Sequence, residues 1–208
     1  MTGTALSARA RPGAAFARAA LALACAHWPL LASAHVEGGR AEGFLAGLSH
    51  PVSGLDHVLA MVSVGLWGAQ LGAPAMWLLP VTFPLVMAFG GAMGLLGVPL
   101  PGVETGIALS ALVLGLAVSS AWRPPLWAAA AVVACFAIFH GHAHGTELPA
   151  GASGLSYSLG FVVATGMLHA AGIGVGTIHR WHWGRGALRA AGAAVAAAGA
   201  FFLWRAVA

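Results

Sequence analysis

Residues 125–147 read PLWAAAAVVACFAIFHGHAHGTE. The stretch from Pro125 to Phe139 is apolar and uncharged, and His140, His142, His144 and Glu147 follow within eight residues. Taken on to His144, the segment has the roughly 20 residues that carry a helix across a bilayer. On an ideal helix His140, His144 and Glu147 share one face, at spacings of four and seven, and His142 points away. Gly141 and Gly145 are expected to loosen that helix. Borderline metals such as nickel, cobalt, copper and zinc favour imidazole, often with a carboxylate or water completing the shell. The competing reading is a polar helix end at a membrane surface, where a histidine suits the negative end of the helix dipole. A carboxylate at position 147 opposes that reading, because it meets the same negative end.

The rest of the chain agrees with a membrane class. Of 208 residues, 60% are hydrophobic and only nine arginines and five acidic side chains carry formal charge. A soluble domain has roughly a quarter of its residues charged. There is no lysine, the arginines are scattered, and no basic aromatic stripe suggests nucleic acid. Cys25 and Cys135 give no disulfide framework. Ten histidines outnumber the acidic residues two to one, and that excess needs a function.

Residues 1–34 read as a secretory leader. Arg9, Arg11 and Arg18 precede an Ala/Leu stretch, and Ala32-Ser33-Ala34 offers a small-x-small cleavage site. An uncleaved anchor is the alternative, but its apolar part, residues 19–34, is short for a span and contains His27 and Pro29. Cleavage would leave His35 at the mature N-terminus. Its amine and imidazole could bind metal weakly, although an ordinary frayed terminus is the simpler reading.

Six apolar segments follow, at residues 44–71, 75–97, 104–121, 125–144, 155–178 and 187–207. The expected fold is all-α: one polytopic membrane domain, residues 35–208, with six transmembrane helices. Small residues throughout allow close helix packing in lipid, and Pro80 and Pro84 should kink the second span. An outside N-terminus places Arg123, Arg180, Arg185 and Arg189 in inner loops and leaves Arg40 and Arg205 outside, as the positive-inside rule prefers. With that topology His50, Asp56, His57, Glu104, His144 and Glu147 converge on the outer half of the membrane. Ionisable groups there usually face a bundle interior or a pathway.

The second constellation is His50-Pro51-Val52-Ser53-Gly54-Leu55-Asp56-His57. If a helix begins near Pro51, which suits a first helical position, His50 and His57 share a face. Ser53 and Asp56 could instead form an acidic capping box, though a cap leaves His57 unexplained. Asp56 could equally orient an imidazole from behind. Met61 lies one turn beyond His57 as a soft donor or, more simply, core. Glu104 could serve a pathway or complement the helix dipole at its own N-terminus. His169, mid-span, is either a packing residue or a transit ligand. His179 and His182, beside Trp181 and Trp183, read as interfacial anchors first.

His50-x5-Asp56-His57 and Phe139-His140-Gly141-x-Ala143-His144-Gly145-x-Glu147, with the context Gly65-Leu66-Trp67, resemble the paired signatures of the HupE/UreJ family of bacterial nickel permeases. The resemblance covers essentially the whole mature chain, leader included. It implies that His50, Asp56, His57, His140, His144 and Glu147 are the functional positions. His142 falls on a variable position of the motif, and Glu104 and Phe83 match an acidic residue and a phenylalanine of the middle helices. It further implies a multi-pass protein of the bacterial inner membrane with a periplasmic N-terminus. No prosthetic group is expected: the metal is cargo, Ni²⁺ first, with Co²⁺ moved by some members and Zn²⁺ chemically compatible. An indirect link to hydrogenase or urease maturation proteins goes with it.

Two rivals remain. Gly151-Ala152-Ser153-Gly154 matches the G-x-S-G of rhomboid-like proteases, with His169 as nominal base. Sixteen residues along one helix are about 24 Å, too far for a nucleophile and its base, so Ser153 reads better as a helix cap. A metal-dependent intramembrane hydrolase could use three histidines and a water. A metal-binding accessory protein without transport is the other rival. The residues do not separate that rival from a permease; the family resemblance implies a permease that is not an enzyme.

Overall fold

Apolar helices make up the computed structural model, which describes residues 40–148 and 151–208, with side chains from Gly43 onward. The leader and His35 lie outside the described residues. The helices are α1 (Arg40–Ser53), α2 (Leu55–Leu71), α3 (Ala75–Leu95), α4 (Val103–Ser120), α5 (Leu126–Thr146), α6 (Gly154–Gly176) and α7 (His182–Val207), with a 3-10 turn at Thr177–Arg180 before α7. No strand occurs among the described residues.

Five of these elements are long and apolar enough to cross a membrane. The expected first span is different. It is a bent pair, α1 and α2 meeting at 83°, which brings the number to six if the pair counts as one span. Pro51 does not open the helix; it lies inside α1, and the break falls at Gly54. Ser53 forms no capping box, because its hydroxyl donates to the His50 carbonyl instead, at 2.6 Å. His50 and His57 therefore sit on separate helices on either side of an elbow. In contrast, α3 runs through Pro80 and Pro84 as one assigned helix, and Ser153 does cap α6, accepting from the Ser156 amide.

Glycine sets the packing. The largest interfaces are α3 with α5 and α4 with α7, while α6 lies against both α1 and α2. A Cβ at Gly141 or Gly145 would collide with the carbonyl oxygens of Met87 and Gly91, and one at Gly90 or Gly94 with those of Ile138 and His142. The two glycine pairs, each four residues apart, thus face one another along the α3–α5 seam, as small residues do at close helix contacts in lipid. So Gly141 and Gly145 do not loosen α5, which stays helical to Thr146. Gly65 and Gly172 make the same contact between α2 and α6, and Gly47 and Gly160 between α1 and α6.

The core runs through Met61, Val64, Trp67, Leu79, Phe83, Leu114, Val133 and Leu188, all essentially solvent-free. Met61 belongs to this core. Trp77, Leu85, Phe89, Trp127 and Leu155 are exposed instead, and an apolar exterior on this scale belongs against lipid. The chain is a multi-pass helical membrane protein.

Candidate metal site

Four elements place the site. On α5, Gly141 and Gly145 face α3, while the preceding residues reach other helices, His140 towards α2 and α4 and His144 towards α2 and α6. His57 stands in the first turn of α2 beside Asp56. His50 stands in the last turn of α1, brought over by the elbow. Glu147 caps the C-terminus of α5.

His57, His140 and His144 can each offer one ring nitrogen within 4.8 Å of the others. The rings meet at steep angles, with centroids 4.7 Å apart for His57–His140 and 4.6 Å for His57–His144. The surrounding hydrogen bonds decide which nitrogens are free. Asp56 Oδ1 accepts from the His57 Nδ1–H at 2.9 Å, and from the His57 amide as well. That assigns the proton to Nδ1 and leaves the Nε2 lone pair, which is buried without a partner. Ser110, on α4, donates its single proton to the Ile107 carbonyl at 2.6 Å, so its oxygen accepts from His140 Nε2–H at 2.9 Å. The Nδ1 lone pair of His140 is then the unpaired one. Both ring nitrogens of His144 are buried and unpartnered. Unsatisfied buried polar groups are rare because each costs the desolvation it suffered. Several on three touching rings mark a place built for an electrophile. Metal-bound histidines normally donate the second ring N–H to a carboxylate, carbonyl or other acceptor, which is what Asp56 and Ser110 provide.

A second group, His50, His144 and Glu147, lies beside the first and shares His144 with it. His50 Nε2 donates to Glu147 Oε2 at 3.0 Å, and His144 Nδ1 is 3.9 Å from the same oxygen. Glu147 is half exposed whereas His144 is buried, so this group forms a mouth over the inner trio. Two helix C-termini, those of α1 and α5, end here, and their negative dipole ends favour a cation. The carboxylate that looked misplaced at a helix end is paired there with His50.

The remaining candidates separate. His142 turns away from the cluster and donates from Nε2 to the Val98 carbonyl at 2.8 Å, tying the loop after α3. Glu104 is exposed in the first turn of α4 and joins neither group among the described residues. Phe83 is fully buried, its ring 5.5 Å from His140 and 5.4 Å from His169. His169 is buried on α6. His179 donates to the Gly176 carbonyl in the 3-10 turn, next to the stacked Trp181 and Trp183. Ser153 caps α6 and His169 lies 16 positions further along the same helix, about 24 Å away, so this histidine cannot serve as its base.

Sequence reasoning missed Ser110, Tyr157 and Phe161. Tyr157 lies 5.8 Å from the His50 ring and Phe161 only 4.2 Å from that of His144. The available signal was a lone hydroxyl within the α4 apolar run and the chain's single tyrosine.

The sequence model of the family described as HupE / UreJ protein matches residues 21–202. Among curated proteins, the chain is 50% identical over 185 residues to "Protein HupE" of Rhizobium leguminosarum bv. viciae, covering 89% of this chain and 94% of that protein. No solved structure matches.

Proposed function

The chain belongs to the HupE/UreJ family, and from that membership and the chemistry of the site we propose that it is a permease for a divalent transition metal. The cargo we assign first is Ni²⁺, with Co²⁺ and Zn²⁺ able to use the same donors. The direction is from the periplasm into the cytoplasm, across the bacterial inner membrane, with the leader cleaved and the mature N-terminus outside. The metal would go to hydrogenase or urease maturation.

One observation carries this reading: three clustered imidazoles, two of them buried, each able to bring a ring nitrogen within 4.8 Å of the others, with hydrogen bonds that leave a lone pair free on His57 and on His140. Imidazole suits nickel, cobalt and zinc. A transported ion must be held firmly enough to shed water and loosely enough to leave, and neutral histidines with outer carboxylates meet that demand better than a thiolate cage. The two groups give an order of events. Glu147 and His50 meet the hydrated ion at the mouth, the ion taking the place of the hydrogen bond between them as the Nε2 proton passes to the surrounding water and His50 keeps a proton on Nδ1. His144, common to both groups, passes it to His57 and His140.

The test is flux. The purified full-length chain in liposomes should take up radiolabelled Ni²⁺ above empty vesicles, and His57→Ala should abolish uptake without reducing membrane insertion. Binding with no flux would favour an accessory role. Three imidazoles with an open position also form a catalytic zinc shell, so ester or peptide hydrolysis by the zinc-loaded chain, with no flux, would favour a hydrolase.

A further inference from the structure

Phe83 bridges two histidines that do not touch one another. One is His140 of the trio. The other, His169, is 1% exposed, and neither of its ring nitrogens has a hydrogen-bond partner. Any neutral tautomer therefore leaves both a buried donor and a buried acceptor unpaired, an arrangement native structures rarely retain.

Two oxygens on the elements beside this ring lack their usual partners. Pro84 has no N–H, so the carbonyl of Pro80, four residues earlier on α3, loses its helical donor. That carbonyl faces His169 without completing a hydrogen bond. Thr165 lies one turn before His169 on the same face of α6. It is fully buried, and its Oγ1 has no partner. Together these supply one nitrogen and two oxygens in an otherwise apolar interior.

Their position continues the pathway. Tyr157, Phe161, Thr165 and His169 recur every fourth residue and are all buried, forming one stripe along α6. Its upper members touch His50 and His144. From Phe161 to His169 the helix descends about 12 Å. The stripe thus starts at the mouth, passes the trio and ends at His169.

We propose that His169, with the Pro80 carbonyl and Thr165 Oγ1, is a second and deeper stop for the divalent cation, separated from the histidine trio by the Phe83 ring. This rests on the transit reading of the trio. With one imidazole against three, the lower stop binds more weakly, as release towards the inner side requires. Of its oxygens, Thr165 Oγ1 has no other partner, and the Pro80 carbonyl lacks the donor that Pro84 cannot supply.

The experiment counts ions and measures flux separately, using Ni²⁺ alone as the probe on the full-length chain. Wild type should bind two Ni²⁺ per chain, one tight and one weak. His169→Leu, which replaces the imidazole by an apolar side chain, should bind one, with the tight affinity within twofold of wild type and uptake reduced tenfold or more. Thr165→Val, which removes only the hydroxyl, should weaken the second ion severalfold and leave the first untouched; it decides the matter if the leucine variant fails to assemble. A single ion in wild type, or normal uptake by a folded His169→Leu chain, would overturn the second stop. The permease reading fails separately: wild-type vesicles with no flux defeat it, while the two-ion stoichiometry still decides whether His169 holds metal.

Discussion

His57 and His140 meet edge to face between α2 and α5, 4.7 Å between ring centroids, and each gives its ring proton away from the other. His57 donates to Asp56 and His140 to Ser110. Each therefore keeps one ring nitrogen without a hydrogen-bond partner, Nε2 on His57 and Nδ1 on His140.

Asp56→Asn should expose that arrangement. The amide keeps the shape but loses the charge, and it can present a donor to His57 Nδ1, turning the imidazole's acceptor the wrong way. Loss of such an outer partner costs about 10- to 100-fold in metal affinity. Calorimetric titration with Ni²⁺ should show that range, and wild-type affinity would remove Asp56 from the design.

Ser110→Ala tests a residue without a motif. His140 Nε2–H would lose its acceptor, so either tautomer becomes available and the lone pair is no longer held at Nδ1. A decrease of about tenfold in Ni²⁺ affinity is expected, at the lower end for outer partners, with the fold intact by circular dichroism.

His144→Ala should be the most damaging single change, since this ring serves both groups. Ni²⁺ binding should fall more than Glu147→Gln makes it fall. Similar losses in the two variants would mean that the mouth, not the trio, holds the ion.

Gly141→Leu should destabilise rather than merely inactivate. Even a Cβ collides with the Met87 carbonyl and comes within 2.9 Å of the Gly91 amide nitrogen, so α3 and α5 must separate along the seam that aims His140 and His144. A lowered melting temperature in detergent, with binding lost in parallel, is the expected result. His142→Ala, whose ring ties a loop, should lower stability slightly and leave Ni²⁺ affinity unchanged.

Much of the architecture was legible because lipid imposes it: a long apolar run has to be a helix, and five of the six predicted segments are single helices within a few residues of their expected ends. The sixth failed at Gly54. Pro51 has the local signature of a helix start, yet α1 is held against α6 by Gly47 and Gly160, a tertiary contact invisible in a window of eight residues. The same contest decided Gly141 and Gly145, where helix propensity predicts loosening and packing against α3 prevails. Within the site, His57, His140 and His144 could be read from spacing and chemistry. Ser110 could not, because one hydroxyl in an apolar run acquires a role only when α4 is known to face α5.

The elbow at Gly54 finally bears on the dielectric profile a cation encounters. Seventeen residues of α2 extend about 26 Å, short of the roughly 30 Å hydrocarbon layer, and α1 turns aside instead of extending it. A helix that short leaves His57, in its first turn, near one end of the span and beside the elbow. On the permease proposal, an ion would give up its hydration shell in instalments, first beside half-exposed Glu147 and only then among the more buried rings of His140 and His144.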